Sequence, residues 1–237
     1  MKSNLLHRVV NFTLKRIKKS SFLLDSELPI SYILGIVRNR CFMLIRGYLT
    51  FCKHGPYFFR DRNTVIKSKK KFSVCRGVTI SSNCYIDALS KNGITLGNNV
   101  SVGKNTTIEC TGSIKYLGLG LSVGNDVSHG THGFWGCAGG IEIGDDTIFG
   151  NYVSLHSENH NFDLKDIPIR LQGVNREGIK IGNNCWVGAK VTILDGVVIE
   201  NGCVIAAGAL LTKGIYKENS IYGGVPAKFL KNRFNEK

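Results

Sequence analysis

The sequence predicts a mainly β protein in which short parallel strands wind into a solenoid, preceded by a basic, partly helical segment. Three observations support this prediction. Apolar residues recur every six positions in the last two thirds of the 237-residue chain, 28 glycines accompany only 4 prolines, and nearly all of the net charge of +14 lies in the first third. An apolar content of 43% is sufficient to bury a core, so the composition excludes a wholly disordered chain.

Residues 1–71 form the first element, a basic segment with 16 Lys and Arg against three acidic residues. Its apolar run from Ile33 to Leu49 is interrupted by three arginines, so no uncharged stretch is long enough to cross a bilayer. Two interpretations stay open: helices that pack on the rest of the protein with a solvated basic face, or an amphipathic segment on an anionic membrane surface. Because no nucleic-acid-binding motif accompanies the charge, we expect no nucleic acid partner.

The repeat begins at about residue 72. Its clearest part is a run of apolar residues spaced by six, which comprises Ile181, Val187, Ile193, Ile199, Ile205 and Leu211. A period of six fits neither a helix nor an alternating strand, whereas six residues can form one short strand and one turn. Three such units make a triangular coil of about 18 residues, and stacked coils pair at about 4.8 Å. The sequence of residues 72–223 therefore predicts roughly seven stacked coils.

The eight cysteines contain no Cys-x-x-Cys pair, and the N-terminus lacks the pattern of a secretory signal. We therefore expect reduced thiols and a cytoplasmic protein, at most peripheral on the inner face of the cytoplasmic membrane. A cysteine-based structural zinc site is not expected.

The series of apolar residues spaced by six, which we call the ladder, stops after Leu155 and resumes at Ile181. A polar insertion at residues 156–179 interrupts it. Solenoids eject insertions as loops at one edge, and such loops often carry the function. This insertion contains His156 and His160, and histidine is the usual base for a hydroxyl near neutral pH. Because His156 directly follows a ladder residue, we expect it at a corner. His129 and His132 lie in an earlier irregular stretch, and we interpret them as polar corner residues.

Two motifs give the sequence a family resemblance over residues 72–231: Ile181-Gly-Asn-Asn-Cys-Trp-Val-Gly and Gly224-Val-Pro-Ala-Lys228. Together with the ladder, they resemble the hexapeptide-repeat acyltransferases, and within these the sugar and polysaccharide O-acetyltransferases similar to maltose, galactoside and xenobiotic acetyltransferases. The resemblance implies a left-handed parallel β-helix over 72–223 and a homotrimer with active sites between subunits. It also implies acetyl-CoA as the acyl donor, with no metal. We expect the tail at 224–237 to contain a short helix.

The resemblance assigns roles to individual residues. His160 matches the catalytic histidine and is expected to act as the general base; whether Glu158, Asp163 or a backbone carbonyl orients its ring stays open. The residues expected to bind coenzyme A are Gly188, Ala189, Ala207, Lys213 and Lys228. The residues expected to bind the acceptor are Asn151, Tyr152, His156, Asn159 and Trp186. Because Tyr152 stands where galactoside-type enzymes have an asparagine, the acceptor need not be a simple galactoside.

The predicted function is transfer of acetyl from acetyl-CoA to a sugar hydroxyl, in a cell-surface polysaccharide or in its lipid-linked or nucleotide precursor. No serine or cysteine is placed as a nucleophile, so direct transfer in a ternary complex is favoured over a covalent intermediate. Two alternatives stay open. One is a zinc enzyme similar to β-helical carbonic anhydrases, which four histidines would permit. The other is a non-catalytic scaffold, which would not bind acetyl-CoA.

Overall fold

The computed structural model describes residues 25, 27–51 and 57–234. The chain divides into two compact units, residues 1–42 and residues 43–237. The α-helix of the described residues is α1 (Ile30–Phe51), and two short 3-10 helices lie at Lys69–Lys71 and Ile169–Leu171. Within the described part of the chain, no helix is both long enough and apolar enough to cross a membrane.

Most of the second unit consists of strands of two to five residues. In chain order, the first eight are β1 (Phe59–Arg60), β2 (Val65–Lys67), β3 (Phe72–Val74), β4 (Thr79–Ile80), β5 (Tyr85–Asp87), β6 (Ile94–Leu96), β7 (Ser101–Val102) and β8 (Thr107–Glu109). The next eight are β9 (Leu121–Val123), β10 (Ser128–His129), β11 (Phe134–Gly136), β12 (Ile141–Ile143), β13 (Ile148–Phe149), β14 (Ser154–His156), β15 (Asn159–His160) and β16 (Val174–Asn175). The last nine are β17 (Ile179–Ile181), β18 (Trp186–Val187), β19 (Thr192–Leu194), β20 (Val197–Ile199), β21 (Val204–Ile205), β22 (Leu210–Leu211), β23 (Gly214–Tyr216), β24 (Ser220–Gly223) and β25 (Lys228–Asn232).

Three sheets form the sides of the solenoid, and their strands run parallel except for β25 at the end of the first sheet. Sheet I has the order β1-β4-β7-β10-β13-β18-β21-β24-β25, sheet II the order β2-β5-β8-β11-β14-β19-β22, and sheet III the order β3-β6-β9-β12-β17-β20-β23. Consecutive strands of a coil belong to different sheets, so each coil contributes one strand to each side. A separate antiparallel pair is formed by β15 and β16. The predicted mainly β solenoid is therefore confirmed.

The alternation of buried and exposed side chains explains the period of six. In sheet III the two outer residues of strands such as β12 are buried, and in sheet II the middle residue of strands such as β14 is buried. These inward side chains form one apolar core along the solenoid, in which Trp135 is the largest fully buried side chain. Each buried Ile, Leu or Val contributes about 1.5–3 kcal/mol to folding, so the winding is stabilised coil by coil.

Left-handed backbone conformations mark the turns between sheets. We name the turns from sheet I to sheet II edge I/II, those from sheet II to sheet III edge II/III, and those from sheet III to sheet I edge III/I. One residue in each turn of edge I/II has a positive φ; these residues are Asn63, Asn83, Asn105, His132, Tyr152, Lys190 and Gly208. Glycine adopts this conformation readily because it has no Cβ, and asparagine adopts it because its short polar side chain can hydrogen-bond to the nearby backbone.

Edge II/III carries the irregular loops of the solenoid. One loop, residues 110–120, joins β8 to β9, and the larger one, residues 157–178, joins β14 to β17 and contains the β15–β16 hairpin. The insertion predicted from the interrupted ladder therefore leaves the solenoid at one edge, as expected.

The solenoid begins before residue 72, which corrects the predicted boundary. Strands β1 and β2 pair in parallel with β4 and β5, so residues 59–71 belong to the first coil and not to a separate basic segment. The period does not reveal this coil because Arg60 stands in register with the inward residue Ile80. At the end of the solenoid this arginine is tolerated, since its guanidinium donates to the carbonyl of Thr64 at 2.6 Å and to the hydroxyl of Thr50 at 3.2 Å.

The C-terminal tail forms a strand, so the prediction of a short helix is wrong. Strand β25 runs antiparallel to β24, with Gly223 opposite Lys228. Without this pairing, β24 would leave its backbone donors and acceptors open at the end of sheet I. The returning strand satisfies them, and this gain outweighs the weak helical preference of so short a segment.

Candidate active site

The insertion starts from a buried anchor at the end of β14. The Ser157 hydroxyl accepts a hydrogen bond from the Gly139 amide at 2.9 Å and donates one to the Gly136 carbonyl at 2.8 Å. Because Ser157 is fully buried, these two bonds fix the point at which the chain leaves the solenoid. The residues that follow are therefore presented from a rigid base.

His160 lies on the β15–β16 hairpin, which follows this anchor in the chain. It is the last residue of β15, opposite Val174 of β16, and its side chain is exposed. The tip of the hairpin is closed by Gln172, whose side chain bonds Leu164 through both its oxygen, at 3.0 Å, and its amide nitrogen, at 2.9 Å. The ring of His160 is thus held on an ordered backbone and remains accessible to a substrate. Asn159 is its exposed neighbour on the same strand.

Arg176 fixes the second strand of the hairpin. Its Nε lies 2.6 Å from Oε2 of Glu158, and both side chains are mostly buried. The same guanidinium donates at 3.2 Å to the carbonyls of Leu117 and Tyr116 in the neighbouring loop. A planar guanidinium with several fixed donors suits such bridging. Glu158 is one of the three groups considered for orienting His160. Its carboxylate is instead paired with Arg176. Arg176 could not be recognised from the sequence, because an insertion without a period offers no signal for it.

The insertion ends at a second anchor. The carboxylate of the buried Asp195 accepts hydrogen bonds from the amides of Glu177, at 3.0 Å, and Gly178, at 2.7 Å. Burial raises the pKa of Asp195, and the two amide donors oppose that rise. Lys213, expected to contact coenzyme A, lies 2.7 Å from the Glu177 carboxylate, and its hydrogen bond lowers the pKa of Glu177. Lys213 is therefore at the same edge as the insertion of its own chain.

His156 lies in a strand and not at a corner, which corrects the prediction. It is the last residue of β14 and projects outward from sheet II, with its ring 5.3 Å from that of Phe134. Partial burial lowers its pKa below the ordinary histidine value, so the neutral form is favoured. A neutral ring on the outer face close to the insertion can donate or accept a hydrogen bond from an acceptor hydroxyl.

The small residues expected to receive coenzyme A lie at edge I/II. A Cβ at Gly188 would lie 2.6 Å from the backbone nitrogen of Ala207 in the next coil, so glycine is required there for coil stacking itself. The Ala189 carbonyl accepts the Gly208 amide at 2.8 Å. Ala207 is exposed, and its small side chain leaves the backbone of this corner accessible. These residues have a structural role, and they also leave a surface that an extended ligand can approach.

Asn151 and Tyr152 lie at the same edge, one coil away. The Asn151 side-chain oxygen accepts the Thr131 amide at 2.8 Å, which ties it to the adjacent turn. The ring of Tyr152, half exposed, stacks on His132 with centroids 4.7 Å apart and planes 15° apart. His132 is at a corner, as predicted.

The predicted residues occupy different sides of one solenoid. His160, Asn159 and Lys213 belong to edge II/III, whereas Gly188, Ala189, Ala207, Asn151 and Tyr152 belong to edge I/II. Trp186 projects outward from sheet I and is 54% exposed, and Lys228 lies on the returning strand β25 of the same sheet. Within one chain, sheet II separates the proposed base from most of the proposed coenzyme-binding residues.

His129 is a core residue, so its prediction as a corner residue is wrong. It lies in β10, 5% exposed, with its ring 5.0 Å from Trp135 and 5.6 Å from Phe149. Its Nδ1 is 2.7 Å from the Gly130 carbonyl, which assigns the proton to Nδ1. Burial lowers its pKa to about 4, so the ring is neutral at pH 7.

The described residues contain no group of three or more His, Cys, Asp and Glu side chains placed to hold a metal ion. The four histidines considered for zinc are divided among the core (His129), edge I/II (His132), the face of sheet II (His156) and the insertion (His160). This arrangement gives no support to the zinc enzyme alternative.

Comparisons with known proteins agree with this architecture. Residues 178–213 match the family model "Bacterial transferase hexapeptide (six repeats)". A "Probable acetyltransferase" of Mycobacterium tuberculosis is 31% identical over 93 residues, which cover 39% of this chain and 31% of that protein. A "Probable macrolide acetyltransferase" of Lysinibacillus sphaericus is 32% identical over 117 residues, which cover 40% of this chain and 64% of that protein. The chain thus spans less than two thirds of these relatives.

Solved structures show the same fold at lower identity. A variant of AntD, an N-acyltransferase from Bacillus cereus in complex with dTDP-4-amino-4,6-dideoxyglucose and coenzyme A, has a TM-score of 0.56 and 22% identity, covering 70% of this chain and 87% of that chain. Another AntD variant, in complex with dTDP and coenzyme A, has the same TM-score and identity over 68% of this chain and 84% of that chain. The resemblance to hexapeptide-repeat transferases is therefore confirmed over residues 178–213, which match that family model, and the solved structures share the fold of the solenoid.

Proposed function

We propose that this protein is an acetyl-CoA-dependent O-acetyltransferase whose acceptor is a sugar hydroxyl in a cell-surface polysaccharide or its precursor. The observation that carries the proposal is the position of His160: an exposed imidazole on a braced hairpin that leaves a hexapeptide-repeat solenoid. The names of the two sequence relatives support acetyl transfer, and the AntD complexes support a coenzyme A donor and a nucleotide-linked sugar acceptor.

In the proposed reaction His160 takes the proton of the acceptor hydroxyl, and the oxygen of that hydroxyl attacks the carbonyl carbon of the thioester. The tetrahedral intermediate collapses, the carbon–sulfur bond breaks, and coenzyme A leaves as a thiolate that takes up the proton from His160. A backbone amide at the Ala189 corner would stabilise the oxyanion. The insertion contains no cysteine, and Cys84, Cys110, Cys137, Cys185 and Cys203 are buried in the solenoid. The exposed Cys41 and Cys75 lie in α1 and in a turn of edge III/I, and neither belongs to the insertion or to edge I/II, which favours direct transfer without an acyl-enzyme.

We further propose that the active site forms between copies of the chain in a homotrimer. His160 is at edge II/III, and Ala189 and Ala207 are at edge I/II of the same solenoid. In a closed three-fold assembly, edge II/III of one copy can face edge I/II of the next, which completes three identical sites. In this arrangement the thioester lies along the Gly188, Ala189 and Ala207 corners, and Lys213 and Lys228 contact the coenzyme phosphates.

The acceptor would bind beside His160, against the outward side chains near the same seam. His156 projects from sheet II below the insertion, and Asn159 precedes the base on β15. Asn151, Tyr152 and Trp186 would be supplied from the facing copy. An exposed aromatic ring such as that of Tyr152 is suited to stacking on a sugar face, which supports a saccharide acceptor.

The experiment is a transfer assay with labelled acetyl-CoA and a panel of free sugars, nucleotide sugars, amino-sugar nucleotides and cell-envelope glycans. The proposal predicts label in at least one hydroxyl acceptor, and loss of that label in His160→Ala but not in Lys165→Ala, an exposed residue of the same insertion. If label appears only in amino-sugar acceptors, the reaction is N-acetylation and the proposed O-acetylation is wrong. Failure to bind acetyl-CoA at all would favour a non-catalytic scaffold.

A further inference from the structure

Helix α1 carries an apolar stripe that is exposed to solvent. Its members recur every three or four residues and comprise Ile30, Leu34, Val37, Cys41, Ile45 and Tyr48. This spacing places them on one face of the helix. Their exposure is high for apolar residues, 55% for Leu34 and Ile45 and 70% for Tyr48. A continuous apolar face of this length on the surface indicates an interaction site.

From residue 43 onward, the other face of α1 is already occupied. Met43, Gly47 and Thr50 are buried, and they lie on the opposite side of the helix from the stripe. A Cβ at Gly47 would collide with the carbonyl oxygen of Phe58, so the backbone of the helix approaches the start of the solenoid as closely as a glycine permits. Ile45 and Tyr48, which lie on the stripe side of this part of α1, are therefore left outside this packing.

The charge around the stripe identifies the chemistry of its partner. Arg38 is exposed between Leu34 and Ile45 on the helix surface. At the C-terminal end of α1, Phe51 stacks on Phe72 with ring centroids 5.8 Å apart, which places the exposed Lys69–Lys71 turn next to the helix end. Residues 1–71 hold 16 basic and three acidic residues. Such a concentration of positive charge disfavours a second copy of the same segment and favours an anionic surface.

We propose that α1 lies in the interface of an anionic lipid bilayer, with the stripe toward the acyl chains and the basic residues at the headgroups. An apolar helix face flanked by Arg and Lys, with aromatic residues such as Tyr48, is the pattern of an interfacial helix. No helix of the described residues can span the bilayer, so α1 binds in the plane of the surface. This inference does not depend on the acyltransferase reaction, since lipid binding requires neither acetyl-CoA nor an acceptor.

The test is co-sedimentation of the full-length protein with vesicles of phosphatidylcholine alone and of phosphatidylcholine with one quarter phosphatidylglycerol. We expect at least about tenfold stronger partitioning to the anionic vesicles, weakened by high salt. Leu34→Glu/Ile45→Glu should reduce binding about tenfold or more, whereas Ile114→Glu, at a 94% exposed apolar residue outside the helix, should leave it unchanged. Lys69→Gln/Lys70→Gln/Lys71→Gln should reduce binding only to the anionic vesicles.

Thermal unfolding monitored by circular dichroism shows whether each variant remains folded. The substituted positions are exposed, so we expect every variant to fold. Equal binding to both vesicle types, or no binding to either, would overturn the proposal. The mass of each stripe variant in solution without vesicles is measured by analytical ultracentrifugation. A lower mass than that of the wild type, together with unchanged vesicle binding, would also overturn the proposal, because the stripe would then be a contact between copies.

Discussion

The Arg176 guanidinium joins the Glu158 carboxylate at 2.6 Å and links the two ends of the insertion hairpin. Its remaining donors reach the carbonyls of Leu117 and Tyr116, so the hairpin that carries His160 is tied to the loop at residues 110–120, two coils earlier. Arg176 touches no reacting atom in the proposed reaction and is a positioning residue. Its effect on catalysis would pass through the orientation of His160.

Replacing Arg176 should therefore lower kcat more than it changes substrate binding. We expect Arg176→Ala to reduce kcat about 10–100-fold with a KM for acetyl-CoA within about twofold of the wild type. Arg176→Lys should restore little of the loss, since an ammonium cannot bridge three acceptors in one plane. Steady-state kinetics check this, with Arg170→Ala, at an exposed arginine of the same insertion, as the matched control. An unchanged kcat in Arg176→Ala would show that the clamp is only structural.

Removal of the proposed base should reduce turnover without releasing the coenzyme. His160→Ala is expected to lower kcat about 10²–10⁴-fold. Because the side chain is exposed and makes no contact needed for folding, the melting temperature should stay within about 2 °C of the wild type. Calorimetric titration with acetyl-CoA should give a dissociation constant within about threefold. Wild-type turnover in this variant would refute the assignment of the base.

His129 should make stability depend on pH. Its pKa is lowered from the ordinary 6.5 to about 4 by burial, so the folded protein keeps it neutral while the unfolded chain protonates it. The resulting stability is fully present above pH 6.5 and is lost as pH falls through 6.5 toward 4, by an amount on the order of 3 kcal/mol. His129→Leu should show a correspondingly smaller fall between pH 7 and 4.5. Urea unfolding at several pH values measures this, and parallel profiles for the two proteins would contradict it.

Coil stacking should be sensitive to Cβ atoms at edge I/II. A Cβ at Gly150 would lie 2.5 Å from the Ala189 backbone nitrogen, which cannot move without displacing the next coil. We expect Gly150→Ala to destabilise the protein by about 2–3 kcal/mol. Gly35→Ala in α1 is the matched control, because a Cβ there meets nothing within 4 Å and should be neutral or stabilising. Chemical denaturation compares the two, and equal stability would argue against close stacking at this corner.

The period of six predicted the solenoid because each coil repeats the same inward positions. The same period contained a signal for His129, which lies six residues after Val123 and six before Trp135 and is therefore in phase with the ladder. The polarity of the residue suggested a corner, whereas its position in the period indicated the core. The first coil could not be recognised in this way, because Arg60 replaces an apolar inward residue there.

Contacts that bridge irregular loops could not be predicted from periodicity. The Arg176 clamp joins residues of two loops, and its partners Leu117 and Tyr116 are 59 and 60 residues away in sequence. The strand β25 depends on an open edge of sheet I that only the folded solenoid creates. The position of His160 on an ejected loop could be predicted, since an interruption of a regular repeat has no other place to go.

The central claim is that His160 of one copy acts on a thioester lying along edge I/II of another, and mixing two inactive variants tests it directly. His160→Ala lacks the base, and Ala207→Trp places a bulky ring on the exposed corner without entering the core. When the two proteins are unfolded and refolded together in equal amounts, random trimers should recover about a quarter of the wild-type activity, since one site in four receives both intact halves. Mixtures that stay as inactive as each variant alone would contradict the account.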